Sequence, residues 1–290
     1  MPDLLSVFMV FVSGLLAGGL INVLADDIPP DIPAHPDEDY IPRYGRPRLP
    51  HYPDGTPRPF LAWLGITAFL LGKRRSPHGI PLSWRHPITE IGTALLMVAA
   101  LLAGADDPLM TPVQMLFWLI YMAIFVLVTV IDLEHRLILF VVVIPAYLVA
   151  LADALVTTHG PTLSEALLGA ALGFGVFFLL YLGGFAFTWL MSRVQKREIN
   201  EVAFGYGDVL LIVLSGLILG WQALIITMFM TVFLGAIGAI LYLFVRQILG
   251  KRYSVFTPLP YGQYIVIATV IMMLYSVEIG RLLQGRPLTG

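Results

Sequence analysis

"FWLIYMAIFVLVTVIDLEHR", residues 117–136, is an almost unbroken apolar run that ends on an aspartate, Asp132. A helix that spans a bilayer needs roughly 20 mostly apolar residues, and this run reaches that length when extended back to residue 113. A carboxylate inside a membrane is costly and by default marks a functional site. At the end of a spanning helix it can instead rest among the headgroups. The same choice arises in "FGYGDVLLIVLSGLILGW", residues 204–221, where Asp208 precedes a second apolar run.

Composition fixes the solvent. The 290 residues are 58% hydrophobic and only 12% charged, with a mean hydropathy of +0.84, far from a soluble chain. The chain has no cysteine, which excludes disulfides, thiolate metal sites and a cysteine nucleophile and leaves the redox compartment open. The net charge of −2 gives no reason to expect a nucleic-acid partner. The reading is an all-α polytopic membrane protein with about eight transmembrane helices, near 4–24, 86–104, 113–131, 137–157, 163–191, 208–220, 222–245 and 261–279. The first run has only Asp3 as a charge before it and no small-residue cleavage pattern after it, so it reads as a retained helix. Gly220 marks the boundary between the sixth and seventh.

Lys and Arg orient the array, because cytoplasmic loops carry the basic excess. Arg43, Arg46, Arg48, Arg58, Lys73, Arg74, Arg75 and Arg85 lie in the first loop, Arg136 in the third, Arg193, Lys196 and Arg197 in the fifth, and Arg246, Lys251 and Arg252 in the seventh. Both termini are therefore expected outside. Asp132 and Asp208 fall together on the cytoplasmic side, whereas Asp106 and Asp107 fall on the other.

Three regions follow: the first helix at 1–24, a cytoplasmic Pro-rich loop at 25–85, and a membrane core at 86–290. The opening of the loop, "DDIPPDIPAHPDEDYIPRYGRPRLPHYPDGTPRP", is too rich in proline for a helix or central strand, and the segment is expected to be extended and lightly packed. No internal repeat is evident. Gly14–Gly18 and Gly169–Gly173 have the spacing that lets helices approach closely, and packing within the chain is the expected use. His35, His51, His78 and His86 match no metal-ligand spacing, and no metal site is assigned. His135 reads as an interfacial side chain.

Two carboxylates brought together can divide acid and base work, since like charges close by leave the pair sharing one proton near neutrality. One activates water and the other protonates the carbonyl, so a peptide bond is hydrolysed without metal or side-chain nucleophile. Gly205 and Gly207 would let a substrate backbone approach. A helix cap at the interface would use Asp208 in the same place, and spacing alone favours that reading over catalysis.

Together these residues carry a resemblance. "GYGD" at 205–208 resembles the GxGD motif of membrane aspartyl proteases, and nearly the whole chain resembles the type IV prepilin peptidases, or leader peptidases. "GLLAGGLINVL" is similar to the first helix of that family, with Asn22 at its asparagine. "SWRHPITEIGTALL" resembles the start of its second helix and contains Glu90. "IDLEHRLILFVVVIP" resembles the segment with its first catalytic aspartate, and "TPLPYGQYIVIA" its closing stretch.

The resemblance implies a multi-pass enzyme of the cytoplasmic (inner) membrane that removes the basic leader from a prepilin or pseudopilin at the cytoplasmic face. Asp132 and Asp208 would be the catalytic pair, with Gly205, Gly207, Glu90 and Asn22 in support. The peptidase reaction needs no cofactor. A second activity, N-methylation of the product, would draw on S-adenosylmethionine. The chain departs from the family at Leu210, where a lysine is usual, at Ile138-Leu139-Phe140, where Ile-Pro-Asn is usual, and in lacking the paired Cys-x-x-Cys motifs of the loop. Two other readings use the same acids: a proton-coupled carrier, and a catalytically silent scaffold for pilus assembly.

Overall fold

The computed structural model describes residues 2–30, 43–105, 107–195, 205–248 and 261–283. Among these the regular structure is helical: α1 (Leu4–Asp27), α2 (Gly65–Leu70), α3 (Arg85–Gly104), α4 (Pro112–His135), α5 (Phe140–Val156), α6 (Leu163–Gln195), α7 (Tyr206–Ile248) and α8 (Tyr261–Leu283). By length and composition α1, α3, α4 and α8 could each cross a bilayer, as could the apolar stretches Leu163–Trp189 of α6 and Tyr206–Phe244 of α7; α5 is apolar but only 17 residues long. The chain is an all-α polytopic membrane protein. It divides into two compact units, Met1–Leu137 and Ile138–Gly290, a division that falls inside the stretch 86–290.

In the first unit α1 packs on α3 and α4. Asp3 caps α1, its Oδ1 accepting from Ser6 N at 3.1 Å, and Thr111 caps α4 with Pro112 in the first turn, where its missing N–H costs nothing. Small residues set the α1–α3 separation: a Cβ at Gly18 would lie 2.5 Å from Glu90 Cα, and one at Gly14 would strike Ala94. The first glycine pair is therefore used within the chain.

In the second unit α6 begins with a capping box, in which Thr162 N donates to Glu165 Oε2 at 2.9 Å and Glu165 N faces Thr162 Oγ1. Gly169 lies against Gly216 of α7 so closely that a Cβ at Gly216 would sit 2.5 Å from Gly169 C, and the second glycine pair is likewise spent within the chain. At Gly220 α7 breaks, with φ 73° and ψ 170°. The sixth and seventh apolar runs thus follow one another through a single non-helical residue. Ser215 Oγ and Thr269 Oγ1, 2.7 Å apart, join α7 to α8.

The loop at 25–85 differs most from expectation. Residues 31–42, which include Glu38 and Asp39, lie outside the described residues, but 43–84 are folded instead of extended. Two turns recur with one hydrogen-bond pattern: Tyr52 N to Thr56 O, Gly55 N to Tyr52 O and Arg58 N to Pro50 O, then Ser76 N to Ile80 O, Gly79 N to Ser76 O and Leu82 N to Arg74 O. The sequences "YPDGTP" and "SPHGIP" share prolines and a glycine with positive φ, 79° at Gly55 and 84° at Gly79. The two turns are alike in bonding, although they share only these three residues out of six. Tyr52 OH donates to Lys73 O at 2.7 Å, tying the turns together, and Ala62, Ala68 and Leu82 form a small core beside Phe69.

Candidate active site

Asp132 lies in the last turn of α4. Tyr121, Phe125 and Val128 are buried on the same face, at the spacing of one helical stripe, and Asp132 ends it at 8% exposure. Beyond it the chain turns at Arg136, whose φ of 55° is left-handed and whose N–H donates to Asp132 O at 2.8 Å. Leu133, Glu134 and His135 are exposed.

Asp208 lies in the first turn of α7 and is also 8% exposed. It is not the capping residue: its own N–H donates to Gly205 O at 3.2 Å, which places Gly205 at the cap. The positive end of a helix stabilises an anion at this position. Gly207 is needed for packing, since a Cβ there would lie 2.9 Å from Ile138 Cβ. Tyr206 sits between Phe140 and Tyr181, with ring centroids 6.2 and 5.5 Å away. Leu210 is buried, and Tyr147 OH donates to its carbonyl at 2.8 Å. A lysine at 210 would have to hold its ammonium near an apolar interior.

Asn22 and Glu90 are brought together, both fully buried. Glu90 accepts from Gly65 N at 2.5 Å, from Ile66 N at 2.8 Å and from Asn22 Nδ2 at 3.2 Å. Asn22 Nδ2 also reaches the His86 carbonyl at 3.0 Å. A side chain of α3 thus caps α2 from outside, and α1 closes the arrangement.

Sequence reasoning did not find the ionic network around these residues. Arg85 donates to Glu134 Oε2 at 2.7 Å and to Asp26, and His86 Nε2 lies 3.1 Å from Asp26 Oδ2. It joins the ends of α1, α3 and α4, two residues beyond Asp132. Arg48 holds Asp27 through its backbone N–H at 2.6 Å and its guanidinium at 2.8 Å. The signal was available: two aspartates at the C-terminal end of α1 oppose its dipole and call for cations. Among the described residues no three His, Asp or Glu side chains gather as metal ligands. His51, His78 and His86 are dispersed in the fold, and His35 lies outside the described residues.

Asp132 belongs to the first unit, with Asn22 and Glu90; Gly205, Gly207 and Asp208 belong to the second. The model of the type IV leader peptidase family matches residues 119–240, a stretch that contains both aspartates. A prepilin leader peptidase/N-methyltransferase of Aeromonas hydrophila is 30% identical over 77% of this chain and 68% of its own length. Its namesake in Aeromonas salmonicida strain A449 is 28% identical over 94% of this chain and 92% of its own. In Myxococcus xanthus strain DK1622 the figures are 30%, 86% and 66%. No solved structure matches the chain with significance.

Proposed function

The chain belongs to the type IV leader peptidase family, and from that premise we propose that Asp132 and Asp208 together hydrolyse the bond joining the basic leader of a prepilin or pseudopilin to its apolar helix. The observation that supports the assignment is that each carboxylate is buried at the end of an apolar helix, and both lie within the stretch 119–240 that the family model matches. The excess of Lys and Arg in the loops beside them supports a position for both aspartates at the cytoplasmic face of the inner membrane. One aspartate, ionised, takes a proton from the attacking water while the other, protonated, gives its proton to the carbonyl oxygen. As the tetrahedral intermediate collapses, the first passes its proton to the leaving amine and the second regains one from the hydroxyl that becomes the new carboxyl group. Membership sets aside the carrier reading; a catalytically silent scaffold of the same family would keep its partners after both aspartates were neutralised, whereas a peptidase would lose all processing.

A fluorogenic peptide spanning a leader junction tests orientation and chemistry at once. Inverted membrane vesicles should cleave it and right-side-out vesicles should not. Asp132→Asn and Asp208→Asn should each lower cleavage by orders of magnitude while inserting normally. Cleavage at the parental rate by either variant would remove the pair.

The relatives' names add N-methylation, for which S-adenosylmethionine is the donor; when bound it supplies the methyl group. Arg58 suits its carboxylate: it is buried, and its Nε and Nη1 have no hydrogen-bond partner, a state that costs about 1–3 kcal/mol unless filled. Equilibrium dialysis should show weaker S-adenosylmethionine binding in Arg58→Met with leader cleavage retained. Unchanged binding would take Arg58 out of this role.

A further inference from the structure

The folded part of the loop presents apolar side chains that stand exposed among the described residues. Leu70 is 80% exposed and Phe60 76%, and Leu61, Leu71 and Trp84 are each more than half exposed. Phe60 and Trp63 pack edge to face at 5.1 Å, and Phe69 and Trp84 at 4.5 Å. Singly exposed hydrophobics need no explanation, but a contiguous set marks an interaction surface.

Two observations identify what covers it. The first is continuity. Trp84 stands at the head of α3, and Trp84, Ile88, Ile91 and Leu95 are all exposed at the spacing of one helical face. On a spanning helix that face meets lipid, and Phe69 of α2 extends it into the loop. The second is depth. Glu90, which caps α2, lies five residues inside α3, so α2 starts roughly 8 Å below the end of that helix. Leu64 touches α1 at Gly19, eight residues short of Asp27 and therefore about 12 Å inside α1. The polar zone on each side is only about 5–8 Å thick, given a hydrocarbon core of about 30 Å within about 40–45 Å overall, so these depths reach the boundary between headgroups and acyl chains. The element lies beside the helix ends, not above them.

We propose that residues 60–71 form an interfacial membrane anchor, with Phe60, Leu61, Leu70 and Leu71 at the boundary between headgroups and acyl chains. Aromatic side chains favour this level, and short apolar elements beside basic residues bind anionic lipid surfaces. Lys73 and Arg75 follow directly and meet the headgroups. Arg74 is held 4.8 Å from the Phe69 ring centroid and 5.3 Å from that of Trp84, which orients the aromatic pair. The loop is then part of the membrane-bound body and not a solvated linker.

The full chain, with Trp63, Trp84, Trp118, Trp189 and Trp221 replaced by Phe and Leu70→Trp introduced, can be reconstituted in phosphatidylcholine–phosphatidylglycerol liposomes. Lipids brominated at shallow acyl positions should remove most of the tryptophan emission, and aqueous acrylamide should remove little. Efficient acrylamide quenching would put the patch in water and overturn the proposal. Shielding from both quenchers would place protein over it, a second copy or another chain, and would overturn it equally. Leu61→Trp in the same background gives an independent reading should Leu70→Trp fail to reconstitute.

Discussion

Asn22 Nδ2 reaches both Glu90 Oε1 and the His86 carbonyl, so one amide of α1 secures the start of α3 and the carboxylate that caps α2. Glu90 accepts three N–H groups in a fully buried place. That arrangement gives the carboxylate a structural duty whether or not it also touches substrate.

Glu90→Gln tests that duty. A glutamine must turn its NH2 toward one of three donors, leaving buried polar groups unpaired at a cost of about 1–3 kcal/mol. The variant should unfold at lower temperature, and limited proteolysis should begin within residues 60–72. Asn22→Leu should behave alike. A loss of turnover with unchanged stability and proteolysis would mean that Glu90 acts at the reaction centre.

The contact between α6 and α7 predicts a contrast between glycines. Gly169→Ala and Gly216→Ala force two backbones apart, and overpacking of this kind costs about 1–3 kcal/mol. Gly175 faces open space, so Gly175→Ala should be neutral or slightly stabilising, as alanine is the better helix former. Thermal unfolding in detergent ranks the three. Equal effects at 169 and 175 would contradict the contact.

Asp54 gives the loop a pH signature. The Ser76 hydroxyl, then the Thr56 hydroxyl, hold its carboxyl down at about 2, against an ordinary 3.8. A depressed folded-state value contributes stability that is complete above the unfolded value and is lost as pH falls through the folded one. The turn should therefore be indifferent to pH down to about 4 and loosen between there and about 2. The Thr56 amide resonance, which reports its bond to Asp54 Oδ1 at 3.0 Å, should titrate at the lower end. A midpoint near 4, or the same curve in Asp54→Asn, would refute this.

Hydropathy and spacing made the long helices legible, because lipid leaves the backbone little choice but to satisfy itself within each helix. Asp132 and Asp208 stood out for the same reason, as acids bordering apolar runs. The fold of residues 43–84 was not legible. Its apolar piece, Phe60–Leu71, is short and interrupted by Gly65, and the group that caps it, Glu90, comes from a distant helix. Proline in the two turns reads as extended chain until the hydrogen bonds between turn residues are seen. The pairing of Arg85 with Asp26 and Glu134 likewise depends on three helix ends meeting, which no local pattern announces.

The two turns of the loop are each closed by backbone hydrogen bonds and a glycine at positive φ, in a chain with no cysteine. Their shape consequently does not hang on the thiol redox state of their surroundings. Oxidising and reducing conditions should leave these turns alike, where a thiolate-built counterpart would change.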